Sequence, residues 1–218
     1  MQKLSVHELL DLENDAWPEL KQLLEEGSNT YTVIPAQRSK GEEAIYALQV
    51  STKSYLGVIA YETGGVLVDH GWITLLGAET EQVVGSLISW NGLSDRPALE
   101  ALEGVLVVAY DVAGGFFAMD TGKFEGSGHV YYFAPDTLEW ESTELTYSEF
   151  MNWLAHGDLE QFYQTFRWQG WQNDMSQLQQ GQVFAYYPPL WTKEGGGQTS
   201  QKTPVAIMEA WKIARGER

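Results

Sequence analysis

At 218 residues, with 44% hydrophobic and 13% aromatic content, the chain is long enough to bury a substantial core and too aromatic for a disordered segment. Thirteen Lys plus Arg against 30 Asp plus Glu give a formal net charge of -17, a field that repels nucleic-acid phosphates and anionic lipid and attracts cationic partners. The absence of cysteine removes disulfides, thiolate metal sites and a Cys nucleophile together, and is compatible with a reducing compartment.

The N-terminus MQKLSVHELLDLENDAW is acidic and helix-periodic, without the basic and long apolar regions of a secretory signal. The most apolar stretch, Gly104 to Met119, is too short to span a bilayer and carries Asp111. A cytoplasmic protein with no membrane association is expected. Ser5 and Glu8 have capping-box spacing, and Trp17, Leu20, Leu23 and Leu24 share a helical face ahead of Gly27, so helices are predicted over about 5–26. From Thr30 the runs TYTVIP, AIYALQVST, YLGVIAYE, GVLVD and WITLLG read as short strands, with a hairpin turn at Glu62-Thr-Gly-Gly65. Val83, Val84, Leu87 and Ile88 fall at helical spacing. GVLVVAYDV, GGFFAMD and HVYYFA predict three antiparallel strands, joined at Gly114-Gly115 and by TGKFEGSG. Thr146 and Glu149 repeat the capping box before a helix ending at Gly157, and Asp158 caps another through Phe166. The remainder, about 168–218, reads as irregular and aromatic, with a mobile loop over 195–203 and a last helix opened by Pro204. The expected architecture is a single α+β domain over 1–218, a mainly antiparallel sheet flanked by helices.

The stretches LQVSTKSYLGVIAYETGGVLVDHGWITLLG, GGFFAMD, VYYFAPDTLEWE and YSEFMNWLAHGDLEQFYQTFRWQGW resemble a bacterial family of domains of unknown function, family 2625. VLVVAYDVAGGFFAMD, followed by GHVYYFAPDTLEWESTELTYSEFMNWL, resembles more distantly the latter half of the SUKH superfamily. Asp111, Gly115, Asp120, Val130 and Phe150 stand at its marks, while its early Leu-Pro signature is missing. That resemblance implies a SUKH-like α+β fold and, for many members, an immunity role, neutralising toxin domains by binding them. It brings no catalytic residues.

Asp69-His70 is the loudest pair in the chain, since an acid beside an imidazole suits base catalysis or metal binding. Adjacent side chains on an extended strand point to opposite faces, however, and none of the four histidines has metal-ligand spacing. Gly64, Gly65, Asp69 and His70 are therefore expected to be structural turn residues. Glu139 and Glu141 share a strand face, and Glu144 lies near; two carboxylates beside Trp140 would suit glycoside chemistry, but so acidic a chain also produces such clusters on solvated faces. Phosphate-cradling and nucleophile-elbow motifs are missing, so no cofactor is expected. Arg167, Trp168 and Trp171 in FRWQGWQ are of the types that anchor interfaces. Glu139, Glu141, Glu144, Arg167, Trp168 and Trp171 are thus the partner-binding candidates. The expected function is protein binding without turnover, immunity-like, with a basic toxin domain as the partner. The rivals are a small-ligand or carbohydrate-binding protein or hydrolase with an aromatic-acidic cleft, and a purely structural module.

Overall fold

The computed structural model describes residues 3–94, 101–126 and 128–214. The two ends of the expected 1–218 span, and Ser127 in the turn expected over 121–128, lie outside them. Among the described residues, no helix is long and apolar enough to cross a membrane.

The chain opens with α1 (Val6–Leu9), where the Ser5 amide donates to the Glu8 carboxylate at 2.8 Å, and α2 (Trp17–Glu26), which buries Leu20 and Leu24. After β1 (Tyr31–Pro35) come α3 (Arg38–Leu48) and α4 (Tyr55–Glu62), where the sequence suggested strands. The correction has a physical cause. Every residue of α4 from Leu56 to Tyr61 is buried, so the helix has no polar face and its apolar run mimics a buried strand. Ser54 starts it by accepting the Gly57 amide at 3.1 Å.

The expected hairpin at Glu62-Thr-Gly-Gly65 is also corrected: α4 runs straight into β2 (Thr63–Val68), so Gly64 and Gly65 are strand residues. What requires glycine there is close approach. A Cβ on Gly64 would stand 2.7 Å from the Thr80 methyl, and Gly65, at φ 151, would meet the Leu75 carbonyl at 2.9 Å. The turn comes instead at Asp69 to Trp72, before β3 (Ile73–Leu76).

A meander completes the sheet: β4 (Val105–Asp111), β5 (Phe116–Asp120), β6 (His129–Ala134) and β7 (Glu139–Thr146). The seven strands lie in sequence order, antiparallel throughout, with β1 and β7 at the edges. The helix suggested by Val83 to Ile88 is a series of turns, held by the Leu87 amide on the Gly77 carbonyl at 2.9 Å.

Next come α5 (Tyr147–His156), capped by Thr146 and Glu149 as expected, α6 (Leu159–Phe162), capped by Asp158, and α7 (Trp171–Met175). The last segment is more regular than its composition suggested. It forms a hairpin of β8 (Gln182–Tyr187) and β9 (Gln201–Ala206), then α8 (Ile207–Ala214); Pro204 sits inside β9 rather than opening the helix. The fold is thus α+β with a mainly antiparallel sheet covered on both faces. On one side Phe117 packs against Phe150 of α5, centroids 5.0 Å apart. On the other Phe116 meets Trp211 of α8, also at 5.0 Å.

Candidate functional site

The Asp69-His70 turn and the FRWQGWQ segment, 98 residues apart, meet in space. Asp69 and His70 both take left-handed backbone, φ 52 and 57, which Asp and His tolerate better than most residues. The turn is tied to the end of the preceding loop, the Asp69 amide donating to the Thr30 carbonyl at 2.7 Å and the His70 amide to the Thr30 hydroxyl at 2.9 Å. Asp69 and Glu160 each accept from the Arg167 guanidinium, the latter at 2.9 Å. Arg167 is 4% exposed and lies among Trp171, Trp72 and Tyr163, whose ring centroids are 4.2, 4.7 and 5.2 Å from its Cζ. A buried guanidinium in contact with two carboxylates and three rings is a clamp holding the turn to the helical cover. His70 points outward, its ring 6.1 Å from that of Trp171.

Trp168 and Trp171 are 9% and 8% exposed, and so belong to the core. The Trp168 indole donates to Asp174 at 2.6 Å, while the Lys202 ammonium stands 4.8 Å from its ring centre and is held by the Gly197 carbonyl. Burial pushes the Lys202 amine below the ordinary lysine value, and Asp174 partly offsets that shift.

A second buried ionisable group lies at the end of β4. Asp111, fully buried, accepts the Tyr132 and Tyr163 hydroxyls on one oxygen at 2.7 and 3.1 Å. Its other oxygen accepts the Ala113 and Gly115 amides, both at 2.9 Å. Burial pushes its carboxyl above the ordinary value against the pull of these four donors, and raises both phenols too, together with the Asp111 charge. Gly115 must be glycine, since a Cβ would strike the Tyr132 hydroxyl and the Asp111 carboxylate. With each oxygen engaged and no access to solvent, Asp111 organises the β4–β5 turn.

The acidic candidates are arranged differently. Glu139, Glu141 and Glu144 are all exposed on β7, at the sheet edge. Glu139 lies opposite Ala134 and Glu141 opposite Tyr132, which places both on one face, while Glu144, at φ 60, lies in a bulge between the Tyr131–Ser142 and Val130–Leu145 pairs. Among the described residues none of the three carboxylates is paired with a Lys, Arg or His, and no strand lies beyond β7.

Glu141 also lines a pocket that the sequence did not reveal. Its other walls are Phe117, Tyr132, Trp153 and Phe162, with Ser142, Thr143 and Leu145, around a cavity of about 340 Å³. Strand register makes this site: Phe117 lies opposite Tyr132 and Tyr132 opposite Glu141, so the three form one row across β5, β6 and β7. Alternation within each strand was legible, but the pairing of these strands with the faces of α5 and α6 was not. Among the described residues, no group of three or more His, Asp or Glu side chains converges to hold a metal.

No solved structure matches the chain. YbfG of Escherichia coli (strain K12) is 37% identical over 209 residues, 95% of this chain and 94% of its own. A Haemophilus influenzae protein described as uncharacterised is 35% identical over 187 residues, covering 85% and 82%. The family described as protein of unknown function DUF2625 matches over residues 6–210, and the chain, whose pocket and acidic edge both lie inside that span, belongs to this family.

Proposed function

We propose that the protein is a binding module that captures an extended, basic segment of a protein partner along the outer side of β7. The observation that supports it is an open sheet edge carrying three exposed carboxylates that have no cation partner among the described residues. An unpaired edge offers backbone donors and acceptors to an added strand. The carboxylates select which strand is accepted, because like charges directly opposite one another destabilise a pair and opposite charges stabilise it. A second copy of β7 would bring Glu against Glu, so the same feature disfavours self-pairing. In the immunity role implied by the SUKH resemblance, this edge would cover a cationic toxin domain by shape and charge, in a cytoplasmic setting.

Binding is favoured over hydrolysis by the acid count of the pocket. Glycoside cleavage needs two carboxyl groups facing each other across the scissile bond, and Glu141 is the one acid among the described lining residues.

A capped heptapeptide alternating lysine with valine tests the reading by hydrogen exchange. Protection of the amides of residues 139–142 on binding is expected, together with affinity that falls with salt and is lost when Glu139, Glu141 and Glu144 are all replaced by Gln. Binding that leaves β7 unprotected, or is indifferent to the triple substitution, overturns it.

A further inference from the structure

The pocket beside Glu141 is built of aromatic rings on three sides. Phe162 of α6, 38% exposed, stands 5.0 Å from Trp153 of α5 and 5.3 Å from Tyr132, centroid to centroid. Trp153 stands 5.9 Å from Phe117, and Phe117 stacks on Tyr132 at 4.6 Å. Ring faces carry a partial negative charge that attracts cations, and the Glu141 carboxylate adds a full one.

Three of the other aromatic clusters hold one of the chain's own cations, whereas the buried cluster of Trp90, Tyr110, Phe116 and Trp211 has none over it among the described residues. Arg167 occupies the box of Trp72, Tyr163 and Trp171; Lys202 lies over Trp168 and Tyr186; Lys123 lies over Phe124 and Trp140. Among the described residues no Lys or Arg lies over Phe117, Tyr132, Trp153 or Phe162. Glu141 accepts one side-chain hydrogen bond, from the Thr137 hydroxyl at 2.8 Å. Here the rings and the carboxylate are present with no Lys or Arg of the described residues over the one or paired with the other.

We propose that this pocket takes a positively charged ammonium group, presented as a lysine side chain by the strand that lies along β7. The proposal rests on the reading of β7 as a docking edge and names what that edge selects. On an added strand, the residue opposite Glu141 has its Cβ about 4.5–5.5 Å from that of Glu141 and on the same face of the sheet. The row Phe117, Tyr132, Glu141 is then continued by the partner's lysine. Its apolar stem lies along the exposed part of Phe162, and its ammonium turns back between carboxylate and rings. Burial, and to a smaller degree the Glu141 charge, pushes the neighbouring Asp136 carboxyl above its ordinary value.

Two probes separate this proposal from the edge reading. The first is choline chloride against its uncharged isostere 3,3-dimethylbutan-1-ol, followed through the Trp153 indole N–H signal in the full-length protein, assigned with Trp153→Phe. Saturable movement with choline and none with the neutral isostere is expected. Glu141→Gln and Phe162→Ala, both at exposed side chains, should each weaken binding by about tenfold, equivalent to about 1.4 kcal/mol. The second probe is the lysine–valine heptapeptide against the same peptide with norleucine in place of lysine. The lysine peptide should move Trp153 and the β7 amides together. If both peptides move β7 while neither they nor choline moves Trp153, the pocket assignment falls and the edge reading stands. If choline moves Trp153 but neither peptide protects β7, the edge reading falls, and with it the lysine source, leaving a site for small quaternary ammonium compounds.

Discussion

Asp111 provides the sharpest test of the physical reasoning, because its four partners can be counted. Asp111→Ala removes the acceptor of the Tyr132 and Tyr163 hydroxyls and of the Ala113 and Gly115 amides, all buried. A buried donor left unsatisfied costs about 1–3 kcal/mol, and water entering the vacated space recovers part of that. The low end for four donors gives a loss of about 4 kcal/mol, a large share of the roughly 5–15 kcal/mol typical of a domain. Asp111→Asn should cost much less, about 1–2 kcal/mol. Its amide oxygen still accepts the two backbone donors, and its NH2 can donate to hydroxyls that rotate to accept. The two variants also differ in pH dependence. Burial raises the Asp111 carboxyl in the folded state, so the native protein holds that proton where the unfolded chain has released it. Its contribution therefore falls as pH rises, beginning near the unfolded value of about 3.9 and levelling off once the raised folded value is passed. The deficit of Asp111→Asn relative to the native protein should accordingly be largest in acid and shrink toward neutrality. Urea denaturation of the three proteins from pH 4 to pH 8, with m-values checked for constancy, measures both effects. A loss below about 1 kcal/mol for Asp111→Ala, or an Asn deficit that grows with pH, would refute the account.

The two halves of the Asp69-His70 pair should separate. Asp69→Asn weakens a buried ion pair that retains Glu160, so about 2 kcal/mol is expected, less than the roughly 3–5 kcal/mol of a pair wholly broken; exposed His70→Gln should stay within about 0.5 kcal/mol, both read by urea denaturation. Gly115→Ala should be more damaging than Asp111→Asn, because its methyl group collides with both members of the Tyr132–Asp111 hydrogen bond; the amount of soluble protein and the thermal midpoint report it. Association of the lysine–valine peptide should slow with salt, because the exposed carboxylates are screened within about 8 Å at physiological ionic strength, while dissociation changes less; a stopped-flow salt series measures both rates.

Where chain chemistry is local, the sequence was readable. The Thr146 and Glu149 capping box, the Asp158 cap and the strands from Val105 to Ala134 all appear within a residue or two of their expected places. Two of the errors come from tertiary burial overriding local pattern. α4 is buried on every side, so its apolar run carries no helical period. Gly64 and Gly65 are small because Thr80 and Leu75 press on them, although paired glycines most often mark a turn. Pro204 fits in β9 because that strand has one neighbour, leaving its other side free of ladder bonds. For the site, the exposed carboxylates of β7 were visible as a cluster. The pocket required knowing that Phe117, Tyr132 and Glu141 fall into one cross-strand row, a matter of register that no single segment encodes.

The distribution of cations ties these observations together. Lys21, Arg38, Lys40 and Lys53 are engaged in ion pairs with Glu25, Glu42, Glu43, Glu79 and Asp11, all within the first 79 residues of the chain. Arg167 is spent inside the fold between Asp69 and Glu160, and Lys202 is drawn onto Trp168. Among the described residues these six basic groups are committed to ion pairs near the N-terminus or to interior aromatic boxes, Lys123 lies over Trp140 of β7, and none of the three β7 carboxylates is in an ion pair. A net charge of -17 spread evenly would serve solubility alone. Glu139, Glu141 and Glu144 stand exposed along an open edge, with Glu141 beside a ring-lined pocket. A cation arriving from outside finds there the same pairing of carboxylate and ring face that Arg167 finds within.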